Sequence, residues 1–203
     1  MKQRTLALAL AVLMLSGCAL IDGGRAGSKE KAIDVNMQQA GELAEKILDD
    51  TLAAIRPGVE TQRGPSSDPI CTDFKNDGTG TGQVSRRRHV MTVISAERRG
   101  SFIGIVERHW KKEGYEITDV VPNKEMPGVF ARTPEGFQLS VNFGYKGQAF
   151  FSVSSPCVTE SKVTEPPRKP LDPDSPEAKG LPYIKSPFWS AETPVPSPST
   201  NGG

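Results

Sequence analysis

The chain has 203 residues, and its 25 Lys and Arg stand against 24 Asp and Glu for a formal net charge of +1 at pH 7. That balance supplies no global field pointing to nucleic acid as a partner. A mean hydropathy of −0.40, with 17 prolines and 20 glycines, means that a good part of the chain is not built for close packing.

The first twenty residues read as a targeting segment. Lys2 and Arg4 make a short positive start. Residues 5–15 are an apolar run, too short to span a bilayer as a helix, which takes about 20 residues. Leu15-Ser16-Gly17-Cys18 then looks like a bacterial lipobox, with leucine, two small residues and the cysteine in that order. On this reading residues 1–17 are a signal peptide, the Cys18 thiol carries a diacylglyceryl group, and Cys18 becomes the new amino terminus. One acyl chain binds a membrane only marginally, whereas two anchor it stably. Residues 18–31 are small, polar and Gly-containing, a lipidated tether. The expected address is the extracytoplasmic face of the cell membrane, and the membrane is the first expected partner. The remaining 186 residues suit one domain plus tails. Besides the lipidated Cys18 they hold two cysteines, Cys71 and Cys157, and an even pair in an exported chain reads as one disulfide.

A folded unit is expected over residues 32–160. Met37, Ala40, Leu43, Ala44, Ile47, Leu48, Leu52 and Ile55 recur at steps of three and four, which predicts an amphipathic helix over about 36–55 with Asp34 as its N-cap. Arg56-Pro57-Gly58 ends it. Residues 69–75, carrying Cys71, predict a short strand, and residues 83–94 a longer one. The glycine-rich run 78–82 lacks the following helix that a phosphate-cradling loop needs, so it reads as a mobile hairpin loop. Residues 73–80 start like a calcium loop, but Lys75 stands where a ligand belongs and Val84 where a glutamate should close it. A second helix is expected over about 97–113, with Phe102, Ile103, Val106 and Trp110 on one face and Gly114 just past its end.

Four further strands follow, at about 115–122, 128–134, 137–146 and 148–158. In the third, Phe137, Leu139, Val141, Phe143 and Tyr145 alternate with polar or small residues, so one face is expected to be buried. In the last, Phe151, Val153 and Cys157 share parity, which aims Cys157 toward the core. The order is α-β-β-α-β-β-β-β. The expected fold is α+β, an antiparallel sheet of five or six strands with two helices packed on one face. Residues 161–203 hold ten of the 17 prolines and read as a disordered, Pro-rich tail. Inside it, Leu181 to Trp189 is unusually apolar. That segment either docks back on the domain, serves as a linear motif for a partner, or is plain tail.

Trp110, Gly114 and Tyr115, then Thr133, Pro134, Gly136 and Phe137, then Ser155, Pro156 and Cys157 form a pattern. Over residues 36–160 the chain resembles small exported lipoproteins of actinomycetes. The resemblance implies an address, a fold and a disulfide, and it carries no catalytic residue across.

Catalytic chemistry is sparse. The only histidines are His89 and His109, each read as a surface or boundary side chain, and no nucleophile motif accompanies them. No pattern calls for a metal or a cofactor. Arg86, Arg87 and Arg88 are the one feature with an edge. Strand alternation sends Arg86 and Arg88 one way and Arg87 with His89 the other. They are either solvated charges near a sheet edge or a patch for anionic lipid or an acidic envelope partner. The expected function is an extracytoplasmic binding or interaction module. A carrier of a lipid or small hydrophobic ligand is the alternative and would need an internal cavity. A cell-envelope hydrolase is the second alternative and would need a cleft holding a perturbed acid or base.

Overall fold

A computed structural model describes residues 33–167 and 170–194. The signal segment, Cys18 and the whole tether lie outside the described residues. In chain order the elements are α1 (Met37–Ala53), β1 (Thr61–Arg63), β2 (Ile70–Thr72), β3 (Gly78–Gly82), β4 (Ser85–Val90), α2 (Ala96–Lys112), β5 (Glu116–Val121), β6 (Gly128–Arg132), β7 (Gln138–Phe143), β8 (Ala149–Ser154) and β9 (Val158–Thr159). Six strands form an antiparallel sheet in the order β1-β4-β8-β7-β6-β5, and β2, β3 and β9 form a small second sheet. The α+β class, the sheet size and the two covering helices are as the sequence predicts.

Local chemistry sets the helix ends. The N-cap of α1 is Asn36, not Asp34. The Asn36 side chain accepts from the Gln39 backbone at 3.0 Å, and the Gln39 side chain accepts from the Asn36 backbone at 3.0 Å. Two otherwise orphaned donors are satisfied at once. At the far end of α2, Gly114 takes φ +79, a left-handed conformation that glycine adopts without a Cβ clash.

Alternation along β7 and β8 then builds the core. Leu139, Val141 and Phe143 on β7 and Ala149, Phe151 and Val153 on β8 are buried beneath the helices. In α2, Phe102 meets Phe143, Phe151 and Trp189 edge-on, with ring centroids 5.7, 6.0 and 5.3 Å away. Trp110, buried on the same face of α2, donates its indole N–H to Thr51 Oγ1 of α1 at 3.0 Å, joining the two helices. Each such side chain contributes roughly 1.5–3 kcal/mol of apolar burial. The alternation stops at Phe143: Tyr145 is 86% exposed, because Gly144 to Gln148 form the turn into β8.

Three further expectations are corrected. The glycine-rich run is β3, paired to β2 and β9, and not a free loop. Cys157 does form a disulfide with Cys71, but it is exposed. Strand β8 ends at Ser154, and the chain leaves the core before Cys157, so the bridge staples the β2–β3 hairpin to the connection leading into β9. The folded unit does not stop at residue 160. Tyr183 and Ile184 donate their backbone N–H groups to Met91 O, and Val93 N–H donates to Ile184 O. Trp189 is 0% exposed, and its indole N–H donates to Pro57 O at 2.7 Å. The apolar segment in the Pro-rich region therefore docks back onto the domain.

Candidate functional site: the open face of the sheet

Because both helices lie on one side, the other side of the six-stranded sheet carries the alternate residues of each strand. The register aligns them in rows. One row runs Gln62, His89, Phe150, Asn142, Gly128, Val121 across β1, β4, β8, β7, β6 and β5. The next runs Arg87, Ser152, Ser140, Phe130, Asp119 across β4 to β5. Small Ser152 and Ser140 lie at the centre of the sheet between larger neighbours. They leave a trough of about 500 Å³, walled by Pro65, Arg87, His89, Asn142 and Phe150.

A strap of chain lies beside the trough, across His89. Residues 172–181 fold into successive turns, and Gln62 Nε2 donates to Glu177 O. Two further concavities, of about 420 and 370 Å³, flank this strap. They share His89, Phe150 and Lys179 with the trough or with each other. Together the three carry Arg63, Arg87, Lys146 and Lys179 against one carboxylate, Glu177.

His89 sits at the junction. A Cβ placed on Gly64 would lie 2.7 Å from its Nε2, and one on Gly180 would lie 2.9 Å from its Nδ1. The ring fits because both neighbours lack side chains, and Gly180 also needs its φ of +63. The Phe150 ring meets it edge-on at 5.0 Å. Burial, and secondly the charge of Arg87, hold its pKa below the usual histidine value. A neutral imidazole offers one donor and one acceptor.

The arginine run divides as strand alternation predicts, but neither reading of it holds for the whole run. Strand β4 lies between β1 and β8, not at an edge. Arg86 and Arg88 are 3% and 5% exposed beneath α1. Arg88 pairs with Glu45 and, at 3.2 Å, with Asp49. Arg86 Nε lies 3.6 Å from Glu45 Oε1, and Arg63 lies 3.4 Å from Glu45 Oε2. Burial pushes the Glu45 carboxyl up, but the Arg88 and Arg63 bonds and charges outweigh it and leave the pKa lowered. Gly41 opens the space for this contact, since a Cβ there would fall 2.8 Å from an Arg86 terminal nitrogen. Only Arg87 is exposed, so the three do not make one surface patch. The pair Arg86 and Arg88 is a neutralised helix–sheet junction.

His109 is the boundary residue expected, with Nδ1 3.9 Å from Glu113. Asp73, at the start of the calcium-like loop, accepts from the backbone of Lys75 and Asp77. Among the described residues no cluster of His, Cys, Asp or Glu could hold a metal ion, and no helix is long and apolar enough to cross a membrane. The open face itself is only faintly legible in the sequence. Its signal was the polar parity of the same strands, Gln138, Ser140 and Asn142 between the core residues of β7. Strand β1 and the strap gave no signal of comparable strength.

No family model matches the chain, and no curated protein matches it. Among solved structures, the chain is similar to a DUF4853 family protein from Actinomyces odontolyticus at 14% identity. The match has a TM-score of 0.38 and covers 70% of this chain and 75% of that one.

Proposed function

We propose that the chain is a membrane-anchored, extracytoplasmic binding module whose ligand surface is the open face of the sheet around Arg87, His89 and Phe150. The observation that carries this reading is the trough itself. A six-stranded sheet leaves one face free of helices, and small side chains at its centre hollow that face beside an aromatic ring, a neutral imidazole and an unburied guanidinium. Binding sites combine a concavity with a few convergent polar groups in this way. The anchor rests on Leu15-Ser16-Gly17-Cys18, and the partner is a component of the cell envelope within reach of the tether.

Two rival readings are less well supported. A lipid carrier needs an empty interior between helices and sheet, whereas Phe102, Trp110, Phe137, Phe151 and Trp189 fill it with side chains under 2% exposed. A hydrolase needs His89 joined to a nucleophile or an orienting carboxylate, whereas its two ring nitrogens face Gly64 and Gly180.

The test is a photo-crosslinking residue at Ser140, in the trough, compared with one at Glu107 on α2, both in the full lipidated chain on intact cells. Adducts from position 140 and none from 107 are expected. Adducts from 107 alone, or from neither, would overturn the reading.

A further inference from the structure

We infer that the open-face trough takes an acidic polyhydroxylated chain, that is, a segment of acidic glycan. The inference rests on the reading that this face binds a ligand, and adds the ligand's chemical class.

Backbone pairing excludes one mode of recognition. Strands β4, β8, β7 and β6 each have a partner on both sides, so their N–H and C=O groups are spent within the sheet. An extended peptide gains its affinity by adding to a free strand edge, and the strands that floor the trough, β4, β8 and β7, offer none. Recognition here falls to side chains.

Those side chains suit a polyol. Ser140 and Ser152 floor the trough, with Asn142 and neutral His89 in its wall. The two hydroxyls and the Asn142 amide can both donate and accept, which is what matching a series of sugar hydroxyls requires, while His89, its ring nitrogens turned toward Gly64 and Gly180, adds a ring wall. Phe150 stands beside them, and Phe130 continues the row beyond Ser140. Aromatic side chains supply rigid, apolar contact area for the C–H face of a sugar ring. A hydrocarbon tail would leave the floor hydroxyls without partners, which costs free energy. From Arg87 to Phe130 the row crosses three strand spacings, about 14 Å, room for more than one ring of a chain that passes through.

Charge favours an acidic ligand. Arg63, Arg87, Lys146 and Lys179 line the connected concavities with Glu177; Lys179 lies 3.7 Å from Asp174, so Arg87 and Lys146 carry the charge of the face. Arg63 is engaged by Glu45 on the helix side. Arg87, exposed and directed away from the Glu45 junction, offers a guanidinium fork to a carboxylate.

The experiment is affinity electrophoresis of the Cys18→Ala chain in native gels containing polygalacturonate, neutral dextran or polyglutamate, at physiological salt. Retardation by polygalacturonate well above that by dextran is expected. Arg87→Gln should weaken it about tenfold or more, the share of one charge-assisted contact. Ser140→Tyr, which fills the trough, should abolish it, and Lys111→Gln on α2 should leave it unchanged. Thermal unfolding checks that each variant is folded, and Ser152→Gln replaces Ser140→Tyr if that chain fails. Equal retardation by dextran, or none by polygalacturonate, overturns the inference. Retardation by polyglutamate alone, lost in Ser140→Tyr, overturns the glycan while the binding face stands. No retardation by any probe, together with a silent crosslinker at Ser140, removes both.

Discussion

Replacing Trp189 by alanine should unfold the domain far more readily than its place in a Pro-rich tail would lead one to expect. The side chain is wholly buried, donates to Pro57 O, and packs edge-on against Phe102 at 5.3 Å and Phe188 at 4.8 Å. Truncating a buried tryptophan costs about 3–5 kcal/mol. In a chain of this size each kcal/mol lowers Tm by roughly 2–4 °C, so a fall of roughly 6 to 20 °C is expected. Urea denaturation followed by circular dichroism reads the free energy, and a thermal scan reads the midpoint. Tyr145→Ala, at an exposed turn, serves as the control and should stay within about 0.5 kcal/mol of the parent. A chain ending at residue 160 should be destabilised at least as much as Trp189→Ala, since it also loses the Ile184 pairing with Val93. If Trp189→Ala unfolds at the parent's midpoint, the docked segment is not part of the fold and the domain does end near residue 160.

Three other outcomes are expected. Glu45→Gln leaves buried Arg86 without a carboxylate and Arg88 with only the exposed Asp49, and should cost about 3–5 kcal/mol by urea denaturation, whereas Asp49→Asn, with its side chain 65% exposed, should cost at most about 1 kcal/mol; equal costs would refute the junction as described. His89 has a folded pKa below its unfolded value, so the unfolded chain binds more protons across that interval. The stability tied to neutral His89 is present above the unfolded pKa and is lost as pH falls below it toward the folded one. Unfolding free energy measured from pH 7.5 down to pH 5 should therefore drop more in the parent than in His89→Gln, and parallel curves would contradict the burial of the ring. Cys18→Ala should abolish incorporation of radiolabelled palmitate; continued labelling would sink the anchor.

The sequence announced the core more clearly than the surface. Phe102, Val106 and Trp110 at helical spacing, and Leu139, Val141 and Phe143 at strand spacing, are patterns that burial itself imposes, so the α+β sandwich was legible. Trp189 was partly so, since apolar residues in a solvated tail need a place to go, but proline content masked the docking. Prolines fix φ without preventing the few backbone bonds that hold residues 183–191. The burial of Arg86 and Arg88 was not legible, because their carboxylate lies on another element, more than forty residues away, and charge pairing across a fold leaves no local trace. Cys157 was misplaced because strand parity was carried past Ser154, where the strand had ended. The trough depends on register between β4, β8 and β7, which no single strand encodes.

The most direct test of the central claim is to map binding on the folded domain residue by residue. Amide shifts of the isotopically labelled Cys18→Ala chain would be followed by NMR as soluble glycan fragments released from the host envelope are added. The account predicts saturable shifts clustered at Arg87, His89, Ser140, Asn142, Phe150 and Ser152, with α1 and α2 unmoved. Saturable shifts centred on the helices, or none anywhere on the open face, would contradict it.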